Sequence, residues 1–436
     1  MEMINSLARN IFNNMYIVII FYIVLGSFFE KKSLTNIINS ILKTLMAVFI
    51  MEIGISVLNS SMANLNYIIP RAFRVIGIIP QNEGAAALGE FRYKEVINNI
   101  IFLGMIVNLL MAKFSRFKYI FLTGQQIIFM GSMLGIILVP LNFNYINSVL
   151  IGGIILGVLM SVIPALIKDE SQEIIKNKKI TVGHFSTLFF FFSIKLSSFL
   201  VKINEDNKFK LNKKNKVKTK ELYNKKIDKN FSMFLDASIM SALFMIVIFI
   251  LSAVFAKKEY VEEISGDSNY LIFAFKQGFL FACGIHIVLN GVRMFIQEII
   301  PAFKGIAKKF VPDAVLALDV SILFPRNESV LISSFIMSFL GGILAMILTS
   351  FYNFMVVLPA AMIHFFTGGG CGIYANSKGN KKISLFVSFV MGFLINLFPL
   401  ILISHYKEIH FSRMVFAESD ITFVGFVLRF IIKLFN

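Results

Sequence analysis

Long apolar runs separated by short polar segments are the main pattern along this chain. Five windows contain no Asp, Glu, Lys or Arg: Ile11–Phe29, Val96–Ala112, Tyr119–Ile167, Ala237–Ala256 and Ile383–Tyr406. A bilayer core requires about 20 mostly apolar residues per helix. The pattern therefore predicts an all-α polytopic membrane protein with about ten or eleven transmembrane helices and one or two re-entrant segments.

Two further features refine this prediction. Ile41–Ser60 is apolar but carries Lys43 and Glu52, and Tyr119–Ile167 is long enough for two spans with a break near Pro140. The first apolar run is too long for a cleavable signal peptide, and no small-residue cleavage site follows it.

Polar stretches are too short to form a soluble module. The longest are Pro70–Glu95 and Lys202–Lys229, and neither can bury an independent core. We therefore expect residues 1–436 to form a single integral membrane transporter domain. The sequence contains no Gly-x-x-x-x-Gly-Lys-Ser/Thr motif, which argues against an ATP-driven pump.

Composition supports a membrane protein. Hydrophobic residues make up 57% of the chain, charged residues only 15%, and the mean hydropathy is +0.78, whereas soluble domains carry roughly 25% charged residues. Cys283 and Cys371 lie in apolar surroundings at no metal-like spacing. We interpret them as free buried thiols and predict no disulfide framework, metal site or cofactor.

The net charge of +17 is not spread evenly along the chain. Lys202–Lys229 contains eleven Lys and four acidic residues, a local excess of 11 − 4 = +7. The positive-inside rule predicts that this loop is cytoplasmic. Only Phe209 and Tyr223 stand among the lysines, and apolar spans tether the loop at both ends. We therefore expect no nucleic-acid binding, although anionic lipid or an acidic protein is a compatible partner.

Charged residues inside apolar runs are the first candidates for function. Asp319 stands alone in "AVLALDVSILF", and a carboxylate there must face a cavity, a ligand or an ion-pair partner. We interpret it as a substrate contact, with an internal ion pair as the alternative. Arg293 and Glu298 are predicted to pair and hold a helix end. His184, in "TVGHF", stands at the entrance of an apolar run as a ligand or a structural residue.

The segment "LTGQQ" adds polar groups at the start of another uncharged span. It contains Thr123, Gln125 and Gln126. Amide groups donate and accept hydrogen bonds, which suits a neutral or weakly acidic polyhydroxylated substrate. The alternative is hydrogen bonding between helices.

A glycine-rich stretch, "FFTGGGCGIYANSKGN", ends a run without charge between Glu328 and Lys378. We predict that Thr367 to Gly370 are unwound, with backbone amides that face the substrate, because irregular backbone at membrane depth needs a cavity. Close helix packing through Gly368 and Gly369 is the alternative. Together with "TVGHF", this stretch also suggests a weak inverted repeat, with His364 as a hydrogen-bonding neighbour.

These motifs together resemble the membrane (C) subunit of the ascorbate-type bacterial phosphotransferase system. "GVRMFIQEIIPAFKGIAKKFVPDAVLALDVSILFPRNES" is similar to that family's Gly-Val-Arg-Met-Phe segment, its Pro-x-Ala-Val-Leu-Ala stretch and the Asp that follows. "FFTGGGCGIYAN", "FLTGQQ" and "TVGH" are similar to its Phe-Phe-polar, Leu-Thr-Gly and Gly-His motifs. Order and spacing agree over nearly the whole chain.

The resemblance implies a permease in the bacterial plasma membrane that imports ascorbate or a related sugar acid. It implies an elevator-type homodimer and phosphorylation by a separate cytoplasmic B component, charged in turn by an A component. The polar residues singled out above and this resemblance together predict substrate binding by Thr123, Gln125, Gln126, His184, Asp319, Thr367, Gly368 and Gly369.

The chain departs from the family pattern at four positions. Gln125 stands where the family has His, Phe129 and Phe185 where it has Gln, and Gly368 in a polar pair that often includes Asn. Two other functions therefore stay open. One is transport of another carbohydrate or polyol without phosphorylation, and the other is a membrane scaffold that does not transport.

Overall fold

The computed structural model describes residues 15–73, 77–80, 82–141, 145–212, 237–266, 268–309, 311, 313–351, 356–402 and 414–435. Its α-helices are α1 (Met15–Phe29), α2 (Leu34–Phe73), α3 (Asn82–Phe114), α4 (Gly124–Leu138), α5 (Tyr145–Val162), α6 (Lys168–Ile175), α7 (Thr187–Asn212), α8 (Ala237–Ala256), α9 (Lys258–Ser265), α10 (Tyr270–Lys309), α11 (Glu328–Phe351), α12 (Ala361–Ile363), α13 (Gly369–Lys378), α14 (Lys381–Leu397) and α15 (Ser419–Phe435).

Six helical segments among the described residues are long and apolar enough to cross a membrane: Leu34–Phe73, Arg92–Phe114, Tyr145–Ile175, Tyr270–Ile299, Glu328–Phe351 and Lys381–Leu402. Three shorter apolar helices accompany them: Ile19–Phe29, Gly124–Leu138 and Ala242–Ala256. The mainly helical, polytopic membrane class is therefore confirmed. The predicted number of crossings stays a prediction.

Close packing of α2 against α10 forms one half of the helical assembly. Small residues on each helix meet the other helix, since a Cβ on Gly54 would lie 2.8 Å from Val288 and one on Gly284 would lie 2.7 Å from Leu58. These pairs show that the two helices run antiparallel. Helices α1 and α8 also pack against α10. We call α1, α2, α8 and α10 the scaffold group.

Two small parallel sheets form the centre of the other half. The first has the strand order β5–β1–β6, with β1 (Gly77–Pro80) between β5 (Val356–Val357) and β6 (Met414–Val415). The second has the order β2–β4–β3, formed by β2 (Tyr119–Phe121), β3 (Ile180–Val182) and β4 (Val315–Leu318). Their registers pair Gly77 with Val356, Ile79 with Met414, Ile120 with Leu316 and Thr181 with Ala317.

The window Tyr119–Ile167, predicted to be long enough for two spans, contains β2, the shorter apolar helix α4 and the start of the candidate span Tyr145–Ile175, and its number of spans stays a prediction. The window opens on β2, continues through the short α4, and breaks at a 3₁₀ turn, Val139–Leu141, that contains the expected Pro140. A strand of two to four residues inside a long apolar run gives no alternating pattern. A hydropathy profile therefore assigns the residues of these strands to helices.

The chain enters the two sheets from opposite ends of the helix bundle. Helix α2 ends just before β1, whereas α10 ends just before β4, and the two helices are antiparallel. The end that precedes β2, β3 and β4 carries Lys118, Lys179 and Asp313. Lys118 pairs with Asp313 at 2.7 Å, and this hydrogen bond lowers the pKa of the exposed Asp313 carboxyl. We call this end the basic end.

The glycine stretch is helical, so the prediction that Thr367 to Gly370 are unwound is wrong. Gly368 and Gly369 have helical dihedrals, φ −64° with ψ −42° and φ −63° with ψ −42°. A π-helical turn, His364–Gly368, links α12 to α13. The glycines allow neighbouring elements to approach, because a Cβ on Gly369 would lie 2.5 Å from Leu331 and one on Gly370 would lie 2.8 Å from Phe190.

The inverted repeat suggested by "TVGHF" and the glycine stretch would pair two segments that are not structurally equivalent. "TVGHF" covers the end of β3 and the turn after it, whereas the glycines lie inside the helical segment that follows β5. What does recur is a unit of a strand followed by a helix, three times around each sheet, with a 3₁₀ helix after β4. The inverted repeat itself stays a prediction.

Three smaller predictions have definite outcomes. Arg293 pairs with Glu328, whereas Glu298 lies 3.7 Å from Lys43, so the expected Arg293–Glu298 pair is wrong. His364 is a hydrogen-bonding neighbour as predicted, 2.8 Å from the Ser338 hydroxyl. Both cysteines are free, although only Cys371 is fully buried.

Most of the basic loop Lys202–Lys229 lies outside the described residues. Lys202 lies in the last part of α7, and residues 213–229 lie outside the described residues. The cytoplasmic position of this loop stays a prediction.

Candidate functional site

The carboxyl edges of both sheets face one cavity of about 210 Å³, which we call the central cavity. Helix α2 supplies the opposite wall. The residues that line it are Ile55, Asn59, Met62, Ala63, Tyr67, Pro80, Asn82, Gln125, Gln126, Phe129, His184, Asp319, Ala360, Ala361, Met362, Ile363, Phe366 and Glu418. Ligands of parallel sheets bind where strands end, because the following loops place polar side chains together there.

The loops after β2 and β3 are tied to each other. The Thr123 hydroxyl donates a 2.6 Å hydrogen bond to the carbonyl of Gly183. The Gln126 amide oxygen accepts a 2.9 Å hydrogen bond from the backbone N–H of Phe185. These bonds fix the Gln126 side chain so that its NH₂ group points toward the His184 ring.

His184 presents a donor to the central cavity. Its Nδ1 accepts a 3.1 Å hydrogen bond from the backbone N–H of Ser186, so the proton of the neutral ring is assigned to Nε2. That Nε2 lies 3.2 Å from the Gln126 Nε2 and 3.7 Å from the Asp319 carboxylate. Two N–H donors therefore face each other without an acceptor at hydrogen-bonding distance between them. An oxygen atom of a ligand would satisfy both.

Asp319 follows β4 and brings a carboxylate to the same place. Its Oδ2 accepts a 3.2 Å hydrogen bond from the backbone N–H of Ser321, which caps the 3₁₀ helix Val320–Arg326. The side chain is about one-third exposed. Its other oxygen is directed toward His184 and has room for a donor from a ligand.

Glu418 supplies a second carboxylate from the other sheet, just after β6. It is 4% exposed and accepts hydrogen bonds from the Asn82 amide at 3.0 Å, the Thr367 hydroxyl at 3.1 Å and the Ser186 hydroxyl. Asn82 in turn accepts a 2.9 Å hydrogen bond from the backbone N–H of Ala417. Donors from three separate elements therefore hold this buried carboxylate in place.

The longer helices that begin at the central cavity are α3, α4, α7 and α15. Helix N-termini carry partial positive charge and unpaired N–H groups, so they favour anions. At α7 these groups are already occupied, because the Asp420 carboxylate accepts the backbone N–H groups of Thr187 and Leu188 at 2.7 and 3.0 Å.

A second cavity, of about 130 Å³, lies next to the first. Both are lined by Ile55, Gln125, Asp319 and Phe366. The second cavity reaches toward the basic end, since α2 begins at that end and contributes Val48 here but Tyr67 to the central cavity. The two cavities therefore adjoin along α2 at these four residues.

The sequence candidates divide into three groups. Gln125, Gln126, His184 and Asp319 line the central cavity, and Thr123 lines the second cavity. Thr367 is fully buried and contacts the central cavity only through Glu418.

Gly368 and Gly369 line neither cavity. In the continuous helix their amides bond within the helix, and the Gly369 N–H donates to the carbonyls of His364 and Phe366.

Sequence reasoning missed Glu418, Asp420 and Asn82. The segment "FAESDITFVGFVL" places two carboxylates at the start of an apolar run, which is the same signal that identified Asp319. Asn82 gave no comparable signal, since its role depends on a partner 336 positions away. Among the described residues, no group of three or more His, Cys, Asp or Glu side chains could hold a metal ion.

Comparison with known proteins agrees with this geometry. A family profile described as "PTS system sugar-specific permease component" matches residues 10–420. The chain is also similar to a Mycoplasma pneumoniae protein named "Ascorbate-specific PTS system EIIC component", with 29% identity over 136 residues. That match covers 30% of this chain and 21% of the relative's length. The chain therefore belongs to the sugar-specific permease components of the phosphotransferase system, multi-pass proteins of the bacterial plasma membrane.

Proposed function

We propose that this chain is the membrane permease subunit of a phosphoenolpyruvate-dependent phosphotransferase system that imports ascorbate or a related sugar acid. The central cavity binds the substrate. A separate cytoplasmic B component, charged by an A component, phosphorylates it. This chain supplies the binding site and the passage, and the partners carry out phosphoryl transfer.

The observation that carries the proposal is the pair of donors on His184 and Gln126. Their nitrogen atoms lie 3.2 Å apart, and each needs an acceptor. A buried donor without an acceptor costs roughly 1–3 kcal/mol, so an oxygen-rich ligand is favoured between them. The adjacent Asp319 carboxylate accepts hydrogen bonds from hydroxyl groups. The site therefore offers both donors and an acceptor, as a polyhydroxylated molecule requires.

The charge balance suits a substrate with a single negative charge. The N-termini of α3, α4 and α15 favour an anion, whereas Asp319 and Glu418 oppose more than one. Ascorbate is a monoanion with several hydroxyl groups, which matches this balance. The similarity to an ascorbate-specific relative supports the same substrate class.

We further propose an elevator-type movement in a homodimer, and the connection between the two sheets supports a moving body. The tips of the loops after β3 and β6 are joined by the Asp420 and Glu418 hydrogen bonds, so the two sheets form one body. Across the central cavity α2 faces that body, whereas α10 packs on the 3₁₀ helix Val320–Arg326 and α8 packs on α11. Sliding of the body along α2 would carry the site from the central cavity toward the second cavity, while the scaffold group forms the dimer contact.

Uptake measurements test this function. Bacteria that lack their own ascorbate system would express this chain with its cognate A and B components and receive labelled ascorbate and related sugar acids. We expect accumulation of the phosphate ester of one of them. Omission of the B component is the matched control and should abolish accumulation of the ester.

Two outcomes would identify the other functions. Accumulation of an unphosphorylated solute, independent of the B component, would show transport of another carbohydrate or polyol without phosphorylation. Absence of both uptake and binding in a folded protein would favour a scaffold that does not transport.

A further inference from the structure

Glu418 keeps an unused hydrogen-bonding position on the cavity side. Each oxygen of a carboxylate accepts about two hydrogen bonds. Oε2 accepts from the Ser186 and Thr367 hydroxyls, whereas Oε1 accepts, among the described residues, only from Asn82, at 3.0 Å. Oε1 therefore has room for one more donor.

The positions of the three donors indicate which oxygen of Glu418 lies on the cavity side. Asn82 lines the central cavity with Glu418, while Ser186 and Thr367 do not. The two hydroxyls thus lie behind the carboxylate, and Oε1 lies on the side of the cavity. No positively charged side chain pairs with Glu418 among the residues that the structure describes, so its negative charge acts on whatever occupies the cavity.

We propose that Glu418 is a specificity residue that accepts a hydroxyl hydrogen bond from the unphosphorylated substrate and repels the phosphorylated form of the same molecule. This inference rests on the proposed function. The inference extends that function because it assigns to one side chain the discrimination between the imported molecule and the released ester.

Phosphorylation changes the ligand in the way that this site would detect. The ester loses a hydroxyl hydrogen and gains a group with a charge of about −1.5 to −2 at pH 7. Two carboxylates, Glu418 and Asp319, line the cavity that holds it, and repulsion between nearby charges is weakly screened where water is scarce. The N-termini of α3, α4 and α15 attract the parent anion and the ester alike, whereas the N-terminus of α7 is already capped by Asp420. The ester should therefore leave the cavity and not rebind.

Matched substitutions at Glu418 separate charge from shape. Glu418→Gln removes the charge and keeps the size of the side chain. Its amide oxygen can still accept a hydrogen bond from Asn82, and its NH₂ group can donate to the two hydroxyls. Glu418→Asp keeps the charge but withdraws the carboxylate from the ligand. Glu263→Gln, at an exposed position on α9, is the control for removal of a remote carboxylate.

The measurement is the dissociation constant of ascorbate and of its phosphate monoester at the primary hydroxyl, for each purified full-length variant. A second pair, galactitol and galactitol 1-phosphate, extends the test to a neutral parent. In the wild type we expect the ester to bind about tenfold or more weakly than its parent. Glu418→Gln should weaken the parent and reduce this ratio by about tenfold. Glu418→Asp should weaken the parent but keep the ratio, and Glu263→Gln should change neither.

The outcomes distinguish this inference from the proposed function. An unchanged ratio in Glu418→Gln, or equal changes in Glu418→Gln and Glu418→Asp, overturns the role of Glu418 even if uptake proceeds as proposed. A wild-type protein that binds both esters as tightly as the parents also overturns it. If the wild type binds neither parent compound, the inference and the proposed substrate class fail together.

Discussion

The carboxylate of Asp420 accepts a 2.7 Å hydrogen bond from the backbone N–H of Thr187 and so joins the start of α15 to the start of α7. The backbone N–H of Asp420 donates in return to the carbonyl of Phe185 at 2.8 Å. One residue therefore connects loops that arrive from opposite ends of the bundle. This connection positions His184 and Glu418 on the same cavity.

Replacement of Asp420 should loosen this junction. Asp420→Ala leaves the N–H groups of Thr187 and Leu188 without acceptors, and we expect a loss of roughly 1–3 kcal/mol of stability. Asp420→Asn keeps an acceptor oxygen and should lose less, because Asn also caps helix N-termini well. Melting curves in detergent measure both, with the exposed Glu263→Ala as control. Equal melting of wild type and Asp420→Ala would contradict the structural role.

Asp319 should contribute to substrate binding more than to folding. Asp319→Asn keeps the volume and the oxygen that caps Ser321 but removes the charge. We expect binding of the transported substrate to weaken by about tenfold, the loss of one charge-assisted hydrogen bond, while the melting temperature changes little. Titration calorimetry and uptake provide the measurement. Unchanged affinity in a folded variant would show that Asp319 only caps the 3₁₀ helix. Asp319→Leu is a poorer test because it also changes the packing.

The glycines of α13 and the π turn should prove structural. In Gly369→Ala the added Cβ would lie 2.5 Å from the buried Leu331 side chain, whereas in Gly368→Ala it would overlap the Ser338 hydroxyl that contacts His364. Overpacking of this kind costs typically about 1–3 kcal/mol. We expect both variants to melt earlier, Gly368→Ala more so, and the surviving protein to bind substrate normally.

Two further results sharpen that test. Gly369→Ala combined with Leu331→Ala should destabilise by less than the sum of the single changes, because the truncated side chain makes room for the added Cβ. A Gly369→Ala variant that melts normally but binds weakly would place this stretch in the substrate site after all.

The orientation of the bundle in the membrane can be tested from both sides. Lys178 is exposed near the basic end, and Glu263 is exposed on α9, which precedes the start of α10 at the other end. In a protein without other cysteines, Lys178→Cys and a cysteine within residues 213–229 should react with an impermeant reagent only from the cytoplasm, as the positive-inside rule predicts. Glu263→Cys should react from outside. The reverse pattern would overturn the orientation.

Part of the candidate site was visible in the sequence because lone polar residues stand out in apolar runs. Asp319, His184 and the two glutamines were identified in that way, and the structure brings them to one cavity. Glu418 and Asp420 carried the same signal at the start of α15. The glycines were misassigned because their number suggested irregular backbone. Their actual reason, contact with Ser338 and Leu331 on α11, depends on a neighbouring helix that hydropathy does not describe.

The sequence by itself determined the membrane class, the family and the residue types of the site, because hydropathy and motifs are properties of short segments. Only the tertiary structure decided that β1 to β6 form two sheets, since strands this short are stabilised by partners distant in the chain. It also decided which polar groups meet. Asn82, Ser186, Thr367 and Glu418 come from four separate segments, and a buried carboxylate is stable there only when all of its donors arrive together.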